Sequence, residues 1–245
     1  MVSFPDVLTA EMLSGFRTTD RGCTHPRVGE IGGVRYIAKC GSWSSYSSDA
    51  HVHNELVADQ FLREIGLNVP ASREYRVDFG DGLGLQTVRL AKFIEARPLL
   101  EAFHKANPSL RAKIRVQAIA AYPAQAFIAG IDTFTYDNVL VDANGALWFV
   151  DNGASFDYRA CGKKKGWYWS RFDPSDARTG YLSLVQHPDQ RVLQAILGEG
   201  CTANLISMAR ACGFTEWGSR LPSEYQQPSL IAYAKKLLAF ANLPK

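Results

Sequence analysis

Three features of the chain point to an α+β architecture in which a small β-rich lobe precedes a larger helical one. Residues 27–40, RVGEIGGVRYIAKC, alternate apolar and polar on both sides of Gly32-Gly33, the pattern of two antiparallel strands joined by a tight turn. The next periodic stretch, HVHNELVADQFLREIG, carries Val57, Ala58, Phe61, Leu62 and Ile65 at helical spacing and ends on Gly66, a C-terminal stop. From Pro98 onward helical spacing dominates, interrupted by the hairpin pattern NVLVDANGALWFV over residues 138–150. Lobes at 1–95 and 96–245 follow, joined by a connector near 91–97 into one domain, the first holding an antiparallel sheet and one helix.

The remaining elements fit that plan. Strand-like runs at Arg73–Phe79 and Leu85–Leu90 are joined through Gly80, Asp81, Gly82 and Gly84. Asn107-Pro108 reads as an N-cap followed by proline at the first helical position, and the helix it opens should kink or end at Pro123. The turn Asp142-Ala143-Asn144-Gly145 closes the hairpin. Beyond Asp151 come an irregular segment and three helical patterns, the last opening at Pro228-Ser229 with Leu230, Ala234, Leu237, Leu238 and Ala241 on one stripe.

Composition bounds the function. At 245 residues and 47% hydrophobic the chain can build its own core, and a formal charge of +3 is too small to make nucleic acid or a membrane surface the default partner. Five cysteines without a C-x-x-C pair suggest neither a disulfide framework nor a zinc site, and read as reduced thiols. No run approaches 18 apolar residues and the start lacks a signal-peptide pattern; the expectation is a cytoplasmic protein, or one delivered into a host cell without a cleaved signal.

Certain polar residues interrupt apolar patterns in a way packing does not require. Lys39 ends a strand among apolar neighbours, and Glu55, in the first turn of the following helix, lies on or beside its apolar face. Singly, each has a plain use: an edge lysine, and an acid complementing a helix dipole. Together they suggest a buried or half-buried ion pair, poor for stability and better suited to holding a lysine towards a phosphate. Further on, Asp132, Asp137 and Asn138 precede one arm of the 138–150 hairpin and Asp151 follows the other. Such residues often only cap turns. The hairpin, however, brings Asn138 and Asp151 close together, and two hard oxygen donors beside a phosphate-directed lysine suit Mg²⁺ with a nucleoside triphosphate.

These residues, in motif order over about 15–160, resemble the protein-kinase-like fold, and within it the atypical branch of HipA-like kinases, actin-fragmin kinase, phosphatidylinositol kinases and minimal bacterial effector kinases. The resemblance implies a two-lobed fold that binds Mg-ATP between the lobes. By it, Lys39 corresponds to the strand lysine that holds the phosphates and Glu55 to its helix partner. Asp132 corresponds to the catalytic-loop aspartate, Asn138 to the metal-binding asparagine, and Asp151, in V-D-N-G, to the aspartate of D-F-G. Phe93, Ile94 and Glu95 would form the hinge beside adenine, and Gly22-Cys23-Thr24-His25-Pro26 the loop covering the phosphates. The chain departs from the pattern in lacking H-R-D and A-P-E, and in placing Asn138 six residues after Asp132 rather than five; Asp137 is the rival base. The implied activity is phosphate transfer from ATP to an alcohol, first of all Ser or Thr of a protein, as in a bacterial effector. A small-molecule or lipid kinase and a silent nucleotide-binding or scaffold module are the alternatives.

Other signals have plainer readings. His51 and His53 lack a third ligand at a zinc spacing and read as solvated residues at a helix start. Lys163-Lys164-Lys165 followed by Gly166-Trp167-Tyr168-Trp169 reads as a substrate-contacting or autoinhibitory loop, and the serines at 44, 45, 47 and 48 as a flexible linker.

Overall fold

In the computed structural model the described residues are 4–19, 22–128, 130, 133, 134, 137–156, 158, 162 and 213–221. Asp132, the lysine-aromatic run at 163–169 and the final helical pattern lie outside them.

The N-terminal part is a five-stranded antiparallel sheet in the order β1-β2-β3-β5-β4, built from β1 (Arg17–Thr18), β2 (Arg27–Ile31), β3 (Val34–Cys40), β4 (Ser72–Asp78) and β5 (Leu85–Lys92). The β2–β3 turn is the expected Gly32-Gly33, with φ of 58° and 78°, which glycine adopts without steric cost. Because side chains alternate along a strand, each face has its own character. Tyr36, Ala38, Cys40, Tyr75, Val77, Val88 and Leu90 point to one face, covered by Leu8, Leu13 and Phe16 of the N-terminal segment. That segment contains a second, short helix, α1 (Ala10–Ser14), capped by Thr9. The expectation of a single helix in this region therefore needs correcting; at five residues α1 is too short for a periodic signal.

The other face carries α2 (Asp49–Glu64), capped by the Ser48 hydroxyl, which accepts from the His51 amide at 3.2 Å. Its start at Asp49 puts Glu55 in the second turn, not the first. Val57, Ala58, Phe61 and Leu62 join a second apolar cluster with Leu99 and Phe103 of α3 (Leu99–Lys105) and with α4 (Pro108–Phe127). Phe61 meets Phe127 at 5.5 Å and Trp217, on α5 (Gly213–Arg220), at 6.0 Å between ring centroids. Asn107 caps α4 as expected, its side chain accepting from the Leu110 amide at 2.9 Å. Pro123 does not end α4, which continues to Phe127. Burial of Ala118, Ala121, Tyr122, Ala124 and Phe127 around this end of the helix offsets the missing amide donor.

The predicted hairpin is β7 (Val139–Asp142) and β8 (Leu147–Phe149), paired Val139 to Phe149. Its turn is organised by Asp142, whose Oδ1 accepts from the amides of Asn144 and Ala146. β6 (Ala96–Pro98) adds a third strand, pairing with β7. The whole is α+β: a β-rich N-terminal part with α2 on its sheet, followed by a helical part with its own three-stranded sheet.

Candidate active site

β3 and β5 pair so that Lys39 lies opposite Arg89, and both side chains project from the sheet towards α2. Glu55 and Asp59, one turn apart on α2, meet them. The Lys39 ammonium donates to both oxygens of Glu55, at 3.0 and 2.8 Å, and to Oδ1 of Asp151 at 2.5 Å. Arg89 donates from Nε and Nη2 to Asp59 Oδ2, at 2.8 and 2.5 Å, and lies 3.5 Å from Glu55. Lys39, Glu55, Arg89 and Asp59 are each at most 4% exposed, whereas the Asp151 side chain is 37% exposed. The cluster is thus closed at one end and opens at Asp151.

Asp151 reaches Lys39 because of the hairpin. The Val150 amide donates to the Asn138 carbonyl at 2.9 Å, continuing the β7–β8 ladder and setting Asn138 beside the start of the V-D-N-G turn. Asp151 has φ of 54°, a left-handed conformation that carries the chain from β8 into a single 3₁₀ turn, Asn152–Ala154. Gly153 lies flat against α2: a Cβ there would stand 2.6 Å from His51 Nε2 and 3.4 Å from Glu55 Oε2, so a larger residue would push the turn off the helix.

The electrostatics follow from this packing. Burial alone would lower the Lys39 pKa, but the carboxylates of Asp151 and Glu55 override it and hold the ammonium charged well above the usual lysine range. Burial would likewise raise Asp151; Lys39 overcomes it and keeps the carboxyl below the usual range. Arg89, penalised by burial and then compensated by Asp59 and Glu55, is also raised. Two cations face three carboxylates, a formal excess of one negative charge whose solvent-reaching member is Asp151. The donor set of Asp151 carboxylate and Asn138 amide oxygen fits a hard divalent cation that keeps its other positions for phosphate oxygens or water.

The other predicted positions lie on the neighbouring strand ends and turns. Phe93 and Ile94 follow β5 directly, the Phe93 amide bonding the Arg35 carbonyl at 3.0 Å while the Arg35 guanidinium stacks 4.1 Å from the Phe93 ring and pairs with Glu95. Lys92, just before them, pairs with Tyr36, three residues along β3 from Lys39, or ~10 Å at strand rise. The 22–26 segment forms a turn, the His25 amide bonding the Gly22 carbonyl at 3.3 Å, and leads into β2, where Arg27 lies opposite Ala38. Thr24 there is buried, and its hydroxyl has no partner among the described residues. Asp137 is exposed.

Three residues were not foreseen. Arg89 and Asp59 could have been, since each breaks an apolar pattern and Asp59 stands four residues after Glu55. His51, expected to be solvated, is 2% exposed, packed against Gly153 and 5.6 Å from the Tyr158 ring. It belongs to the buried side of α2 because it stands four residues before Glu55 and seven before Ala58, in a helix that already begins at Asp49. His53 is half-exposed and sits 3.2 Å from Glu74. Among the described residues no group of three or more His, Cys, Asp or Glu could hold a metal unaided, and no helix is long and apolar enough to cross a membrane. Cys40 is a buried free thiol.

No family model and no curated protein matches the sequence. Among solved structures, the chain is similar to WaaP in complex with acyl carrier protein, at 14% identity and a TM-score of 0.43 over 93% of this chain and 92% of that one. It is also similar to the Cydia pomonella granulovirus kinase PK-1, at 15% identity and a TM-score of 0.46 over 94% and 89%. The Helicobacter pylori proinflammatory kinase CtkA aligns at 10% identity with a TM-score of 0.42, over 98% of this chain and all of the other.

Proposed function

We propose that the chain is an ATP-dependent phosphotransferase that acts on an alcohol, with Ser or Thr of a protein as the acceptor. The observation that carries this reading is the 2.5 Å contact between Lys39, from the sheet, and Asp151, from the hairpin end, with Glu55 bracing the lysine from behind. Buried charges of this kind contribute little to stability compared with apolar packing of the same volume, so their retention points to a task.

The task would run as follows. Lys39, held charged and aimed by Glu55, binds phosphate oxygens of ATP at the open side of the cluster, beside Asp151. Asp151 and Asn138 would hold Mg²⁺, which when bound neutralises charge on the transferring phosphate. Asp132, on the catalytic-loop stretch, orients the acceptor hydroxyl and takes its proton. The acceptor oxygen forms its bond to the γ-phosphorus as the bond from that phosphorus to the β–γ bridging oxygen breaks, leaving ADP and a phosphate ester. Phe93 and Ile94, at the far end of the same strand pair, flank the adenine; Gly22 and Thr24 lie over the phosphates. Positioning and electrostatics supply most of the rate.

Incubating the purified protein with γ-labelled ATP and a cell lysate, beside Asp151→Ala, tests this. Label in protein that depends on Asp151 is the expected result. Label confined to small molecules or lipids transfers the proposal to those acceptors, and full activity in Asp151→Ala refutes the metal role. The six-residue spacing from Asp132 to Asn138 favours a second reading, a nucleotide-binding module without turnover, for which ATP binds and no label moves.

A further inference from the structure

The V-D-N-G turn is tied to α2 by more than Asp151. Asp59 uses both oxygens: Oδ2 accepts from Arg89 at 2.8 and 2.5 Å and from the Ser72 hydroxyl at 3.2 Å, while Oδ1 accepts from Asn152 Nδ2 at 2.9 Å. Its side chain is fully buried, and Asn152 is 2% exposed. Five residues earlier on α2, Asn54 Nδ2 donates to the carbonyls of Gly153 and Ser155, at 3.0 and 3.1 Å. The residue before the turn, Val150, is held by its bond to Asn138. The backbone is thus fastened on both sides of Asp151, which itself sits at φ 54°. For a residue with a Cβ that conformation is strained and persists only where its surroundings over-determine it.

We propose that the chain Arg89–Asp59–Asn152 is a positioning device that fixes the Asp151 carboxylate as a metal ligand, from a strand through a helix to the turn. A clamp whose only purpose was to join sheet and helix would be complete with Arg89 and Asp59; the second oxygen of Asp59 would have no reason to select an amide on the turn. In this account Asn152, at the position next to the metal-binding aspartate, is a polar tether where an apolar residue would only pack. The proposal rests on the reading of Asp151 as a metal ligand.

Its test is the binding of Mn²⁺, a paramagnetic stand-in for Mg²⁺, to the full-length protein in the presence of ADP, followed by the electron paramagnetic resonance of free Mn²⁺. Loss of the groups that orient a metal ligand typically weakens metal binding by about 10- to 100-fold, and Asn152 orients Asp151 through the backbone they share. Asn152→Ala should therefore bind Mn²⁺ at least about tenfold more weakly than wild type while its far-ultraviolet circular dichroism is unchanged. Should that variant not fold, Asn152→Ser, whose hydroxyl is too short to reach Asp59, takes its place with the same expectation. A lowered Tm with unchanged Mn²⁺ affinity would make the tether merely structural and overturn the proposal. Absence of ADP-dependent Mn²⁺ binding in wild type itself would overturn the metal role of Asp151 and this inference with it.

Discussion

The two faces of strands β3 and β5 were built by the same alternation and put to opposite uses. On one face Tyr36, Ala38, Cys40, Val88 and Leu90 pack beneath the N-terminal segment as hydrocarbon. On the other, Lys39 and Arg89 stand side by side and meet the acids of α2. The apolar face gains stability for every area it removes from water, at about 25 cal/mol per Å². The charged face gains little of that kind and spends desolvation on two cations and their partners. One sheet therefore separates what holds the fold from what the fold holds in place.

That division can be broken from either side. The largest effect should come from the site: Asp151→Ala lowers phosphate transfer by about a hundredfold or more, the scale on which a single preorganised electrostatic group acts, while unfolding in urea stays cooperative and its midpoint falls by no more than the Lys39–Asp151 pairing contributes. A collapse of folding would instead mean that Asp151 belongs to the scaffold. On the apolar face Leu90, fully buried, should behave in the converse way. Leu90→Ala costs about 2–5 kcal/mol in urea unfolding, and the transfer rate per folded molecule is retained.

A smaller effect sharpens the boundary. Burial lowers the pKa of His51, although Glu55 opposes the shift. A histidine with a depressed folded pKa contributes fully above its ordinary 6.5, and its contribution is lost as pH falls through the folded value. Stability should thus decline below pH 6.5, and His51→Gln should flatten the slope; an identical slope in the variant would remove His51 from the buried cluster. The central pair leaves that window alone. The raised Lys39 stabilises fully below 10.5 and loses this as pH rises through its folded value. The depressed Asp151 stabilises fully above 3.8 and loses this as pH falls through its folded value.

Much of the plan was legible because it is periodic or because it breaks a period. Lys39 and Glu55 showed as charges in apolar patterns, and Asn138 and Asp151 as the two ends of one hairpin. Arg89 and Asp59 carried the same kind of signal, but their meaning depends on the register Lys39 to Arg89, a cross-strand relation between residues fifty positions apart that no local pattern states. Pro123 differs: its local rule offers a kink or an end, and the helix does not end there because α4 stays buried as far as Phe127. His51 is missed because α2 starts at Asp49, ahead of the periodic stretch, and so carries the buried stripe of Glu55 and Ala58 one turn further back.

The central claim is that Lys39 and Asp151 converge on one metal-bound triphosphate, and calorimetric melting with and without Mg-ATP tests it most directly. At a hundred times its dissociation constant a ligand adds about 2.7 kcal/mol, which for a chain of this size is about 5–10 °C in Tm. Wild type and Leu90→Ala should both show that rise, from different starting temperatures, and Lys39→Met and Asp151→Ala should show little or none. An equal rise in all four proteins would place the nucleotide elsewhere and contradict the account.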